Sequence, residues 1–310
     1  MVGRSQILDE TVQAYSCYVG METDLIFNQG VELPGFASFP LLESTVGRAR
    51  LANYAKAQLG WSKVAGLGAI LETPTWMANR DRAAPLGYSA EQLVGVTHQA
   101  VELLKAVEPG TVPRLISVNI GPRDDAYAPS DQMDISTAKA YHFDQIAAAK
   151  SAGADMASGF TLAYAAEAAG IACAGQDVGI PVVISFTVEL DGRLPSGETL
   201  ADAIALVEAA STGSVAYYMI NCAHPDHFAA TLDDPAVAAK IAGLVVNASR
   251  CSHSELDEAE ELDDGDPAEL GALVGAMAAR FPTLRVFAGC CGTDARHMTE
   301  ILGQVAGLGK

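Results

Sequence analysis

The stretch Leu284-Arg285-Val286-Phe287-Ala288-Gly289-Cys290-Cys291-Gly292-Thr293-Asp294 holds one repeat of the fold and the start of its chemistry. Residues 284–287 form a short strand-like run. Two glycines then bracket a pair of adjacent cysteines, and a helical periodicity follows over 294–305. The same order of strand, loop and helix recurs upstream. Strand-like runs fall at 16–21, 64–71, 115–120, 155–159, 181–186, 216–220 and 244–246. Several are apolar throughout, as expected of parallel strands covered on both faces.

Helical patterns lie between these runs, at 89–107, 137–152, 162–174, 199–210 and 268–280. Ser89 is placed to cap the first of these, with Glu91 early in the helix. Asp266-Pro267-Ala268-Glu269 puts Asp at the N-cap, Pro at the first helical position and Glu at the third, a strong start signal. Gly153 and Gly170 mark breaks or close packing. Eight strands alternating with helices argue for an α/β chain folded as a single (β/α)8 TIM barrel, with residues 1–310 as one domain. The competitor is a doubly wound sheet, which usually announces a phosphate loop. Gly66-Leu67-Gly68 lacks the third glycine of such a loop and sits within a strand-like run.

The 310 residues are half hydrophobic, enough for a large core, and carry a net charge of -19. Such an acidic chain repels phosphate backbones and anionic membrane surfaces, so nucleic acid and membrane are not expected partners. No apolar stretch is long and charge-free enough to span a bilayer. The N-terminus runs into Asp9 and Glu10 and does not read as a signal peptide, which points to a cytoplasmic location. Homo-oligomerisation is left open. Six cysteines in so long a chain do not suggest a disulfide framework.

In a barrel of this type the active site lies at the C-terminal strand ends. Polar and metal-binding groups collect there. Gly20-Met21-Glu22-Thr23 follows the first run, Glu72 to Trp76 the second and Asn119-Ile120-Gly121 the third. Glu189 follows the fifth, Asn221-Cys222-Ala223-His224 the sixth, Asn247-Ala248-Ser249 the seventh and Cys290-Cys291 the eighth. Three soft thiolates from two strand ends suit zinc with one position left open for chemistry. A helix start at Thr293-Asp294 favours thiolate, and the flanking glycines permit the sharp turn that two adjacent ligands need. Cys17, Cys173 and Cys251 lack partners at ligand spacing and read as incidental. His224 and His227 are expected to shape the pocket rather than bind metal. His297 is expected to support the site from outside or lie on the surface, and the acidic segment 257–266 reads as a solvated face.

These residues resemble the homocysteine S-methyltransferase family, zinc-dependent enzymes that methylate homocysteine sulfur to give methionine. Relatives include betaine- and S-methylmethionine-dependent enzymes and the homocysteine half of cobalamin-dependent methionine synthase. Gly289-Cys290-Cys291-Gly292-Thr293 is similar to the family's Gly-Cys-Cys-Gly-Thr signature, and Asn221-Cys222 to its Asn-Cys motif. Gly20-Met21-Glu22-Thr23 resembles the N-terminal motif, and Ile184-Ser185-Phe186 with Asp191-Gly192 and Gly197 the fifth-strand segment. The resemblance implies the barrel independently, and implies Cys222, Cys290 and Cys291 as zinc ligands. Two positions depart from the pattern. Tyr18-Val19-Gly20 stands for Asp-Gly-Gly, and Phe160-Thr161 for the fourth-strand Glu-Thr whose carboxylate holds the homocysteine amino group. Glu22, Glu72 or Glu189 is then left to supply the missing charge.

The resulting expectation is a zinc-dependent methyltransferase with Zn2+ on Cys222, Cys290 and Cys291. It moves methyl from an onium donor to a small-molecule thiol, with homocysteine first among acceptors. Gly20, Glu22, Asn119, Thr161, Glu189 and Asn221 are the candidate substrate-binding residues, and Trp76 and Tyr18 are placed to face a methylated cation. The alternatives are a different thiol or selenol acceptor, a zinc or thiol redox site, and a barrel that binds a ligand without catalysis.

Overall fold

The computed structural model describes residues 7–17 and 20–309. Eight parallel strands close into a barrel in chain order. They are β1 (Tyr15–Ser16), β2 (Gly68–Glu72), β3 (Arg114–Ile120), β4 (Met156–Leu162), β5 (Val182–Phe186), β6 (Val215–Ala223), β7 (Ile241–Val246) and β8 (Val286–Gly289). The ring closes where Tyr15 and Ser16 pair with Val286 and Phe287. The expected (β/α)8 barrel is present, and the open doubly wound sheet is not.

The outer layer is α1 (Thr45–Ala65), α2 (Ala90–Lys105), α3 (Ile135–Ser151), α4 (Ala165–Val178), α5 (Leu200–Ala210), α6 (Pro235–Ala238), α7 (Pro267–Arg280) and α8 (Ala295–Gly307). Between β6 and β7 the helical layer thins to single turns, Pro225–Phe228 and α6. Successive strand residues face opposite ways, so each strand serves two cores. Tyr217 and Met219 pack inside the barrel with Ile70, Met156 and Val183. Tyr218 and Ile220 pack outward with Phe186 and Leu244, beneath the helices. Each such side chain, fully buried, contributes about 1.5–3 kcal/mol.

The caps follow the sequence. The Gln92 amide donates to Ser89 Oγ and the Gln92 side chain accepts from the Ser89 amide, a complete capping box. Asp266 accepts from the amides of Ala268 and Glu269 at the start of α7. Gly153 follows α3 with φ +73, which glycine adopts without strain. Gly170 is a close-packing position: a Cβ there would stand 2.4 Å from that of Ala138 on α3.

Two strand readings at the N-terminal end differ from the structure. Of the described residues in the first run only Ser16 is strand, at the end of β1, and Met21 already opens the helical turn Met21–Thr23. Tyr18 and Val19 lie outside the described residues, so the reading of Tyr18 as a cation-facing ring does too. In the second run, Val64 belongs to the last turn of α1, which Gly66 ends with φ +71. The buried face of α1 mixes Leu51, Ala55 and Leu59 with Gln58 and Ser62, so its apolar stripe is too sparse to show in the sequence. No helix among the described residues is long and apolar enough to cross a membrane.

Candidate active site

The end of β6 carries a bulge. Asn221 pairs with Val245 and Ala223 with Val246, which leaves Cys222 as the extra residue. Its φ is +55, a left-handed conformation that costs a non-glycine residue roughly 1–2 kcal/mol. Bulges of this kind re-aim a side chain beside an active site. The Cys222 sulfur is brought to those of Cys290 and Cys291 just past β8, and all three lie within 4.8 Å of one another. The Cys290 amide donates to the Val246 carbonyl at 2.7 Å, and the Cys291 carbonyl accepts from the Ala248 amide at 3.1 Å. Gly20 backs this turn: a Cβ there would stand 2.1 Å from the Cys290 carbonyl oxygen.

The donor set fits zinc. Sulfurs bound to one tetrahedral zinc at ~2.3 Å stand about 3.8 Å apart. Cys222 Sγ and Cys291 Sγ are 3.6 Å apart. In the free cluster the protons are shared unequally. Hydrogen bonds from Cys290 and Cys291, then from Tyr127, hold the Cys222 thiol well below its ordinary pKa. The neighbouring Cys222 thiolate, together with burial, pushes those of Cys290 and Cys291 up. A cation held among the three would replace those protons, since thiolate sites couple metal binding to proton release.

A recess of about 50 Å³ lies over the sulfurs. It adjoins a cavity of about 410 Å³, and the two share Cys222, Cys291, Trp76 and Tyr127 as walls. Glu22, Asn119, Thr161, Asn221 and Gly20 all line the recess. Glu22 is buried and accepts from Ser38 Oγ at 2.7 Å; burial, only partly offset by that bond, raises its carboxyl to about 7. Asn119 Oδ1 is buried without a hydrogen-bond partner. Asn221 and Thr161 are bonded to each other, Nδ2 to Oγ1 at 2.7 Å. Trp76 packs edge-on to Phe36 and has the Arg82 guanidinium 6.0 Å from its ring centre.

Glu189 and Glu72 line neither space. Glu189 sits 3.0 Å from His253 Nδ1. Glu72 turns toward the barrel interior, 3.7 Å from Cys17 Sγ, and burial raises its carboxyl to about 8. His224 and His227 do not shape the pocket as expected. His224 accepts from the Asp226 amide at the start of Pro225–Phe228, and burial lowers its pKa to about 4. His227 Nε2 lies 3.0 Å from the Arg250 carbonyl oxygen. His297 is fully buried and ties α8 to the Asp264 carbonyl at 2.8 Å. The acidic segment 257–266 is only partly a solvated face, because Asp257, Glu261 and Asp263 wall the larger cavity. Cys17, Cys173 and Cys251 stand apart from the sulfur cluster.

Two residues at the site carry no motif in the sequence. Tyr127 Oη lies 2.9 Å from Cys222 Sγ, and its ring stacks on His253 at 4.0 Å. His253 Nε2 is 2.6 Å from the Cys222 carbonyl oxygen. Both His253 nitrogens therefore meet acceptors. Burial opposes its charge, but the Cys222 thiolate and carbonyl and the Glu189 carboxylate raise its pKa overall. Position after a strand end was the one available signal for either residue.

A sequence profile of the family described as Homocysteine S-methyltransferase matches residues 63–305. No curated protein sequence matches the chain. Among solved structures it is similar to the homocysteine methyltransferase MmuM from Escherichia coli. The oxidized form superposes with a TM-score of 0.76 at 20% identity, covering 96% of this chain and 98% of that one. The metallated form gives 0.72 at 18% identity, covering 96% and 99%. The apo form gives 0.70 at 18%, covering 97% and 100%. At these identities the structural likeness is one of fold, and the profile match carries the family. The chain belongs to the homocysteine S-methyltransferase family and is a thiol methyltransferase.

Proposed function

We propose that the chain is a zinc-dependent S-methyltransferase that passes a methyl group from an onium donor to homocysteine, giving methionine. The observation that carries this reading is the triangle of Cys222, Cys290 and Cys291 sulfurs opening into a recess at the barrel mouth. Zinc held by these three thiolates would supply the positive charge that lets an acceptor thiol ionise near neutral pH. The remaining work belongs to the chain's own residues. The recess admits the acceptor and fixes its sulfur over the cysteines, while the larger cavity admits the donor. The acceptor thiolate forms a bond to the methyl carbon as the carbon–onium bond breaks, and the donor leaves as a neutral sulfide or amine. Holding the two in line is the chain's main contribution.

Glu22 takes the role of the carboxylate missing from β4. Glu72 faces the barrel interior and Glu189 is engaged by His253, whereas Glu22 lines the recess, as Asn119 does. Asp125, Asp257 and Asp263 on the larger cavity outnumber its Arg82, which lies over the Trp76 ring, and suit a cationic donor. The test is methyl transfer by zinc-loaded and zinc-stripped protein. Homocysteine, selenohomocysteine and other thiols are each paired with S-methylmethionine, S-adenosylmethionine and betaine. Transfer to homocysteine that needs zinc supports the reading. Full transfer by stripped protein sinks the zinc role, and preference for another thiol replaces the acceptor.

A further inference from the structure

Cys222 occupies a bulge at the end of β6 with left-handed backbone, a conformation that persists only where surrounding contacts over-determine it. The contacts here are specific. His253 Nε2 reaches the Cys222 carbonyl oxygen at 2.6 Å, and Glu189 holds the other ring nitrogen at 3.0 Å. The ring is buried and stacked on Tyr127, whose hydroxyl reaches Cys222 Sγ at 2.9 Å. His253 thus grips the backbone of Cys222 from one side while the Tyr127 stacked on it touches the sulfur. Each member comes from a different loop: Tyr127 from after β3, Glu189 from after β5 and His253 from after β7.

We propose that His253, oriented by Glu189, is a positioning residue that locks the bulged Cys222 so that its sulfur meets those of Cys290 and Cys291 before any ion arrives. This rests on the reading of the three cysteines as a zinc site. A hydrogen bond to the Cys222 carbonyl stabilises the left-handed backbone. Without it Cys222 relaxes toward extended strand geometry, and its side chain swings away from the other two. Preformed ligands bind metal more tightly because less ordering remains to be done on binding. Partners behind the ligands that orient them typically change metal affinity 10–100-fold.

The test separates the ring from its hydrogen bond. His253→Phe keeps a ring for the stack on Tyr127 but has no donor. His253→Gln loses the ring but keeps an amide able to donate to the same carbonyl. Zinc affinity is measured by competition with a chromogenic chelator, and site geometry by the absorption bands of cobalt-loaded protein. His253→Phe is expected to weaken zinc at least tenfold and shift the cobalt bands, and His253→Gln to stay within threefold of wild type. Equal affinity in wild type and His253→Phe, or equal losses in both variants, overturns the proposal. A metal-free measurement keeps it apart from the zinc reading. The rate of diamide-driven disulfide formation between Cys222 and Cys291, read by peptide mapping, depends on the same 3.6 Å approach. It should fall at least tenfold in His253→Phe, and an unchanged rate overturns the proposal. Failure of wild type to bind zinc would instead remove the zinc reading and leave the disulfide rate to decide.

Discussion

Asn221 holds Thr161 by two hydrogen bonds, its Nδ2 donating to Thr161 Oγ1 at 2.7 Å and its Oδ1 accepting from the Thr161 amide at 2.9 Å. Ser185 Oγ donates to the same Oδ1 at 2.7 Å. Thr161, like Cys222, lies at a strand bulge with left-handed backbone, φ +58. The residue beside Cys222 therefore pins the irregular end of β4 across β5. Asn221→Ala removes three hydrogen bonds and leaves a buried amide unpaired, a loss of about 2–4 kcal/mol. Chemical denaturation should show that loss. KM for the acceptor thiol should rise more than kcat falls, since Thr161 lines the recess.

Gly20 fits against Cys290 with no room to spare. A Cβ 2.1 Å from the Cys290 carbonyl oxygen forces backbone to move, and the nearest backbone that can yield carries two of the three sulfurs. Gly20→Ala should lower bound zinc in the purified protein well below one per chain, by elemental analysis. The barrel's circular dichroism should remain unchanged.

Glu22 sets stability against recognition. Its folded pKa of about 7, raised by burial, lies above the ordinary value of 4.5. The protonated carboxyl therefore contributes stability below pH 4.5, and that contribution is lost as pH rises through 7. Glu22→Gln keeps the neutral form at every pH. It should be more stable than wild type at pH 8, by up to about 3 kcal/mol, with the difference gone below pH 4.5. The same variant should bind homocysteine at least tenfold more weakly than wild type, while 4-mercaptobutanoate, which lacks the amino group, binds both alike.

The acid wall of the larger cavity should select donors by charge. Asp125 and Asp257 both line that cavity, and burial with the neighbouring Asp125 raises the Asp257 carboxyl above its ordinary range. Asp257→Asn should raise KM for a net-cationic donor such as S-methylmethionine about three- to tenfold, and raise KM for net-neutral betaine less. Steady-state kinetics with both donors decides it.

The barrel was legible because its strands are apolar on both faces and recur with helices between them. The sulfur cluster was legible because adjacent cysteines after a strand have few uses other than metal binding. What the sequence hid is tertiary in origin. Helix α1 buries Gln58 and Ser62 beside small apolar residues, so its periodicity is faint and Val64 reads as strand. The bulge at Cys222 lies in a run that looks regular, because its geometry depends on pairing with β7. Tyr127 and His253 reach Cys222 from loops whose paths are set by packing, with no spacing to mark them. The contact of Glu189 with His253 likewise joins loops after β5 and β7 that no spacing links.

In the proposed reading, an acceptor thiol seated in the recess over Cys222, Cys290 and Cys291 would bring a fourth sulfur to a zinc held there. Zinc K-edge X-ray absorption of the loaded protein, with and without saturating homocysteine, counts the sulfurs around the metal. Three sulfurs and one lighter atom are expected around zinc in the free protein, rising to four sulfurs with homocysteine. A count that stays at three sulfurs under saturating homocysteine would contradict it.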